Sequence, residues 1–419
     1  MAATIDADHI IDPSHYQQHG YPYETFRRLR AEDPVHRCAP PGVEPFWAIT
    51  KHADICEISR QPALFSSATR PVIFLEGTGM LAPGSAEEAV KVLVNMDPPE
   101  HREHRHLASP WFKPSTIRRM EERVDEVCRQ RLDALASAGP EGECDFVAAV
   151  AAPAPLRMIA EMLGVPEADE PVLLRLTNEL FGAQDPEFQR DGADAQQTFA
   201  AMAAEIFGYF AQLFEARKRE PGHDLLSVMA QGRIRGEPVS ALDAVSYCFI
   251  IATAGHETTR NAISGGLLAL IQNPGEWKRL REDPRLLDSA VDEIIRWSSP
   301  VIHFARTANA DTELRGRRIA KGETVAMFYP SANRDEEVFE AADSFRVDRA
   351  PNPHLAFGIG EHFCLGTPLA RLELRILFAQ LMERLEHAEL AGPPERLRAS
   401  LVGGMKHLPI RYRLRQRPR

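Results

Sequence analysis

The chain has 419 residues, 44% of them hydrophobic and 26% charged, and a formal net charge of −11. That balance belongs to a folded, water-soluble protein and excludes disordered and membrane compositions, while 49 Lys+Arg against 60 Asp+Glu leaves no general basic footprint for nucleic acid. Cys38, Cys56, Cys128, Cys144, Cys248 and Cys364 are scattered with no Cys-x-x-Cys pair, which excludes a disulfide scaffold or zinc cluster and predicts a reducing, cytoplasmic setting.

The start, MAATIDADHI, is acidic and lacks the basic, apolar and small-residue succession of a secretion signal. Residues 46–49 (FWAI) read as a short strand bounded by turn residues. Apolar residues recurring at three and four positions predict helices over 125–136, 193–217 and 240–272. In the last of these, Ser240 and Asp243 resemble a capping box, and Asn273-Pro274-Gly275 stops the pattern. At ~1.5 Å per residue this helix would extend about 50 Å, far enough to cross a whole domain. It is apolar on most faces, as a core helix should be, yet its centre reads Ala254-Gly255-His256-Glu257-Thr258-Thr259-Arg260. Buried polar groups are costly unless bonded or used. Its apolar run over 245–255 falls short of the roughly 20 residues a membrane span needs, so no membrane anchor is expected. A helix over 286–297, a strand over 324–327, a helix over 368–385 and a strand over 410–412 follow. Pro and Gly are dispersed and no repeat or linker stands out, so the expectation is one domain over 1–419, mainly α with a small β region.

Two stretches carry chemistry. The first is Ala356-Phe357-Gly358-Ile359-Gly360-Glu361-His362-Phe363-Cys364-Leu365-Gly366, a lone thiol in a glycine-rich loop before a helical run. Glycines allow sharp turns and close approach, Phe357 and Phe363 offer flat apolar surface, and N–H groups at a helix start favour a thiolate. A planar apolar cofactor ligated by sulfur suits that lining; a nucleophilic Cys364 with His362 as its base is the competing reading. The second is the polar centre of the long helix, where Glu257 beside Thr258 pairs a carboxylate with a hydroxyl, the parts of a proton relay. Threonine back-bonding to the helix is the alternative.

Phe357-x-x-Gly360-x-His362-x-Cys364-x-Gly366 resembles the haem-binding signature of the cytochrome P450 family, the haem-thiolate monooxygenases. The resemblance implies the cytochrome P450 fold, with haem b (heme b, iron protoporphyrin IX) between the long helix and the cysteine loop, and Cys364 as the iron ligand. By the same resemblance Phe357, Gly358, His362 and Gly366 belong to the cofactor loop, and His101, Arg105 and Arg306 with His362 hold the haem propionates. Ala254 to Thr259 is similar to the family's oxygen-activation motif, which assigns catalysis to Glu257 and Thr258 and leaves His256 a hydrogen-bonded or solvent-facing side chain. Glu293-x-x-Arg296 with Arg349 matches the family's structural triad. The pocket wall would comprise Ile251, Ala254, Val301, Ile302, His303, Phe304 and the Val402-Gly403-Gly404 turn, with 65–94 as lid. Arg102, Lys113, Arg118 and Arg119 form a basic face on which a ferredoxin or flavodoxin, fed by its reductase from NAD(P)H, would dock. The implied reaction places one oxygen atom of O2 in a small hydrophobic substrate, most of all a monoterpene, other terpenoid or alkyl-aromatic compound. A sterol or fatty-acid hydroxylase, an H2O2-using peroxygenase and a non-catalytic haem sensor are the alternatives.

Overall fold

The computed structural model describes residues 5–73 and 90–415. The helices that frame the site are α1 (Glu100–Ala108), α2 (Glu121–Ala138), α3 (Pro153–Leu163), α4 (Glu170–Phe181), α5 (Ala195–Arg219), α6 (Ala241–Gln272), α7 (Leu287–Ser298) and α8 (Thr367–Arg384). α6 starts where the sequence predicts, with the Asp243 N–H donating to the Ser240 hydroxyl at 3.0 Å, and ends before Pro274. It runs between α3, α5 and α7, burying residues from Ala244 to Leu270 in the largest apolar cluster. No helix among the described residues is long and apolar enough to cross a membrane.

The β part lies to one side. β1 (Val35–Cys38), β2 (Phe46–Ile49), β3 (Phe65–Ser66), β5 (His303–Ala308) and β6 (Thr324–Phe328) form a five-stranded sheet in the order β1-β2-β6-β5-β3, in which β2 and β6 are parallel. β4 (Glu141–Asp145), β7 (Leu385–Leu390) and β10 (Pro409–Leu414) form a second sheet, and β8 (Glu395–Arg396) pairs with β9 (Met405–His407) as a hairpin. Two pairings join residues far apart in the chain: Phe46 to Thr324, and Asp145 to Pro409.

A buried ionic cluster links α7 to the chain leading to the cysteine loop. The Arg296 guanidinium, fully buried, donates to both Glu293 carboxylate oxygens at 2.7 and 2.8 Å, and to the carbonyls of Asn333 and Ala342 at 2.7 and 2.9 Å. Arg349 donates to Glu293 Oε2 at 3.0 Å and to the carbonyls of Glu340 and Ser344, both at 2.7 Å. The Arg346 N–H completes the carboxylate's set at 2.9 Å. Removing the shared anion strands two buried guanidinium groups. Glu293→Ala is therefore expected to cost about 3–5 kcal/mol, read by urea unfolding followed through far-UV circular dichroism.

Candidate active site

The cysteine loop is built from the ionic cluster outward. The Asn333 side chain accepts the Leu355 N–H at 2.6 Å, and Gly358 N–H then turns back onto the Leu355 carbonyl at 2.8 Å. Gly360 has φ +75°, and a Cβ there would lie 2.4 Å from the Ser59 carbonyl oxygen, so no side chain fits. The Cys364 N–H closes the loop onto Phe357 O at 2.9 Å. Gly366, by contrast, has an ordinary φ of −79° as the residue before α8, and a Cβ there would meet Sγ only at 3.9 Å. Burial pushes the Cys364 thiol up, while the Gly366 N–H and the Thr367 hydroxyl and N–H pull it down.

The sulfur faces a cavity. Phe357, Gly358, Phe363, Cys364, Leu365, Gly366 and Leu369 line it from the loop and α8, and Ile250, Ile251, Ala254, Gly255, Thr258 and Thr259 from α6. α6 passes so close to α3 that a Cβ on Gly255 would come 2.5 Å from Ile159 Cδ1. At the cavity's edge stand His101, Arg105, Arg306 and His362.

Those four groups test whether haem fits. Arg306 is 6% exposed, donates only to the Ala305 carbonyl at 2.7 Å, and has no carboxylate partner among the described residues. Burial accordingly lowers its pKa. A buried guanidinium without counter-charge is expensive, so the cavity calls for an anion at this point. Arg105 donates to Phe363 O at 2.7 Å and is likewise without a carboxylate there. The His101 and His362 rings lie 4.3 Å apart, with His362 Nε2 3.0 Å from the Ser67 hydroxyl and His101 Nδ1 3.3 Å from Glu361. Burial drives His362 down to about 3 and lowers His101, so both offer neutral hydrogen bonds. Two guanidinium groups and two imidazoles suit two propionates, and a sulfur on a largely apolar cavity wall suits the iron. The residues present fit haem b.

The centre of α6 divides its polar residues between two sides. Thr258 faces the cavity, its hydroxyl donating back to Ala254 O at 2.8 Å. Glu257 does not line the cavity, a correction to the expectation of an acid and alcohol side by side. Successive helical residues point about 100° apart. Its carboxylate is fully buried, bonded to Arg260 and, at 3.2 Å, to Asn261 Nδ2, while Arg260 Nη1 donates to Asn178 Oδ1 of α4 at 2.8 Å. Burial pushes Glu257 up, against the pull of Arg260 and Asn261. Its Oε2 has no protein partner among the described residues. His256 is buried rather than solvent-facing, with Nδ1 3.3 Å from Thr177 Oγ1 of α4, and burial lowers it to about 3.

The predicted pocket wall separates similarly. Ile251, Ala254, Val301 and Phe304 line the cavity; Ile302, His303 and Val402 do not. β5 alternates, sending Phe304 and Arg306 inward and His303 to the opposite face, where its Nδ1 meets the Ser400 carbonyl at 3.0 Å. Ile302 packs with Phe26, Phe46 and Phe328 beneath the N-terminal helices, and Val402 backs Val301 through a bridge. The expected lid, 65–94, lies partly outside the described residues, of which 90–94 bring Leu93 and Val94 to the cavity. Sequence reasoning missed the cavity residues Phe112, Ile159, Ile250 and Tyr329, apolar or aromatic positions without a local signal, and the bond from Arg260, which stood in the quoted polar stretch, to Glu257. On the basic face, Arg102 donates to both Glu361 oxygens at 2.8 Å, and this holds Glu361 down at about 2. Lys113, Arg118 and Arg119 are exposed with no acidic partner among the described residues.

A family model described as Cytochrome P450 matches residues 77–412. The chain is 38% identical to cytochrome P450-terp of Pseudomonas sp over 413 residues, 96% of each chain. It is 38% identical to linalool 8-monooxygenase of Pseudomonas putida (96% of this chain, 98% of that one) and 36% identical to steroid C26-monooxygenase of Mycolicibacterium smegmatis (93% and 90%). Among solved structures, CYP108D1 from Novosphingobium aromaticivorans superposes with a TM-score of 0.87 at 39% identity, covering 97% of each chain. Mycobacterium marinum CYP268A2 in complex with pseudoionone gives 0.89 at 32% identity, covering 98% of this chain and 99% of that one.

A spectrum tests the site. Reduced protein under carbon monoxide should show a strongly red-shifted Soret band in wild type, lost in Cys364→Ala.

Proposed function

The chain belongs to the cytochrome P450 family, and on that premise we propose that it hydroxylates a small apolar substrate of the terpenoid or alkyl-aromatic class. It is a haem b monooxygenase of the EC 1.14 class that uses O2 and a redox partner. The observation that carries the substrate reading is the wall beside Thr258: Ile250, Ile251, Ala254, Val301 and Phe304 are all apolar. Such a wall binds a hydrocarbon skeleton by burial, at ~25 cal/mol per Å², and discriminates by shape. The linalool 8-monooxygenase relative and the pseudoionone complex support it. The steroid C26-monooxygenase relative favours a second reading, a sterol or long-chain lipid.

Bound haem supplies the binding and reductive activation of dioxygen and the insertion of one oxygen atom into a C–H bond, the other leaving as water. Cys364 would hold the iron, and the Gly366 and Thr367 N–H groups favour its thiolate. Arg105, Arg306, His101 and His362 would pair the propionates. Thr258 presents its hydroxyl to the cavity and can pass a proton there. Glu257, held at its own side of α6 by Arg260, supplies protons to that face through a rotation of its side chain or through water. An arginine does not stand where Glu257 and Thr258 do, which favours dioxygen over hydrogen peroxide.

Electrons would come from NAD(P)H through a separate acidic ferredoxin or a flavodoxin. Lys113, Arg118 and Arg119 offer it unpaired positive charge, whereas the charge of Arg102 is committed to Glu361. The pairings that join residues 46 and 324, and 145 and 409, support reading the chain as one domain. The scattered cysteines support a cytoplasmic setting.

Linalool and related monoterpenols should shift the ferric Soret band from low to high spin on titration. A shift with steroids and none with terpenoids would move the assignment to the second reading. With a coupled substrate, Glu257→Gln should lower turnover by about 10²-fold and enlarge the solvent isotope effect, and Thr258→Ala should divert electrons into peroxide, measured as product formed per NADH consumed.

A further inference from the structure

The segment 182–194 connects α4 to α5, two helices that pack on α6. Its near half is tied to the β8–β9 hairpin by charge. Asp185, 1% exposed, accepts the Arg398 N–H at 3.1 Å and the Lys406 ammonium at 3.2 Å, and Lys406 also reaches Glu187 Oε2 at 2.8 Å. His407 stands between two carboxylates: Nδ1 is 2.6 Å from Asp145 Oδ2 and Nε2 is 2.7 Å from Glu187 Oε1. Asp145 is fixed in place, its Oδ1 accepting the N–H groups of Val147 and Leu408 at 3.0 and 2.9 Å. The chain between β8 and β9 reaches the cavity wall, since Gly403 N–H donates to Pro300 O and Ile302 N–H to Leu401 O, both at 2.8 Å. Pro300 itself lines the cavity.

We propose that His407 is a proton-operated latch that fastens the segment 182–194 to the hairpin, so that the segment loosens as His407 loses its proton. The reason is a count of hydrogens. Each ring nitrogen faces a different carboxylate, and carboxylates only accept. Both bonds therefore exist together only in the imidazolium; the neutral ring donates to one carboxylate and turns a lone pair on the other. The charged groups around the ring are Asp145 from β4, Glu187 from the segment, Glu395 opposite it on β8, and Lys406 next to it on β9, which is itself bound to Asp185. Lys406 keeps its own bonds to Asp185 and Glu187 when His407 is neutral, so the segment loosens without detaching.

Burial lowers the His407 pKa, but Asp145 and Glu187 outweigh it and the net direction is upward from 6.5. A raised folded-state pKa gives a contribution that is complete below the ordinary histidine value and is lost as pH rises through the folded value. The latch is thus closed in mild acid and lapses from neutral pH upward. This holds whatever the substrate proves to be.

Amide hydrogen exchange over 183–190, corrected for the intrinsic pH dependence, reads the latch directly. Between about pH 6 and pH 8.5 the wild type should lose protection by roughly three- to tenfold, the discount for a half-exposed pair included. His407→Gln should be poorly protected at both, and His407→Arg, permanently charged, well protected at both. Each variant is first checked for an intact reduced carbon monoxide band. Protection that is independent of pH in wild type, or a His407→Gln variant that matches wild type at pH 6, overturns the latch.

Discussion

The site depends on one carboxylate, that of Glu293. It sits fully buried on α7 and holds Arg296, Arg349 and the Arg346 N–H, and the two guanidinium groups hold the carbonyls of Asn333, Glu340, Ala342 and Ser344. Asn333 then fixes Leu355, nine residues before the thiol. A loop with a half-buried cysteine and two left-handed glycines has few contacts of its own to define it, so its shape must come from outside. Buried ion pairs of this kind are poor sources of net stability compared with apolar packing, but they tolerate few alternative geometries. The cluster is better understood as a jig for the loop than as a reservoir of stability.

Around the cavity, the same physical chemistry sorts the polar groups by task. Arg306 and Arg105 lack a carboxylate partner among the described residues, so they define where a cofactor's carboxylates go. His101 and His362 are driven neutral by burial and can share the edge with those arginines without repulsion. Burial pushes the Glu257 carboxyl up against the opposing pull of Arg260 and Asn261. Thr258 spends its hydroxyl hydrogen on its own helix, leaving the oxygen's lone pairs toward the cavity.

The parts of this arrangement written locally were legible in the sequence. α6 was readable end to end because Ser240 caps it, Asn273-Pro274 stops it, and its apolar periodicity persists between. Gly360 was readable as a required turn because no other residue adopts its conformation against the Ser59 carbonyl. What depended on distant partners was not legible. β5 has the unremarkable sequence HFARTA, and only β6 and β3 beside it make it a strand. Without that strand's alternation, Phe304 could not be told from His303, and Ile302 and Val402 were placed on the wall they in fact support from behind. The direction of Glu257 likewise follows from Arg260 and from Asn178 on another helix.

The long-range pairing of the sheets has a consequence for how the chain comes off the ribosome. β2 emerges early, yet its parallel partner β6 is encoded almost three hundred residues later, and β4 waits as long for β10. Until then those strands present unpaired edges, and such non-local pairings make folding slow. Cys364 and α8 follow β1 to β6 in the chain and are synthesised after them. Cofactor capture is thus a late event in biogenesis, and growth conditions that slow synthesis or supply chaperones should raise the yield of loaded protein more than extra cofactor alone.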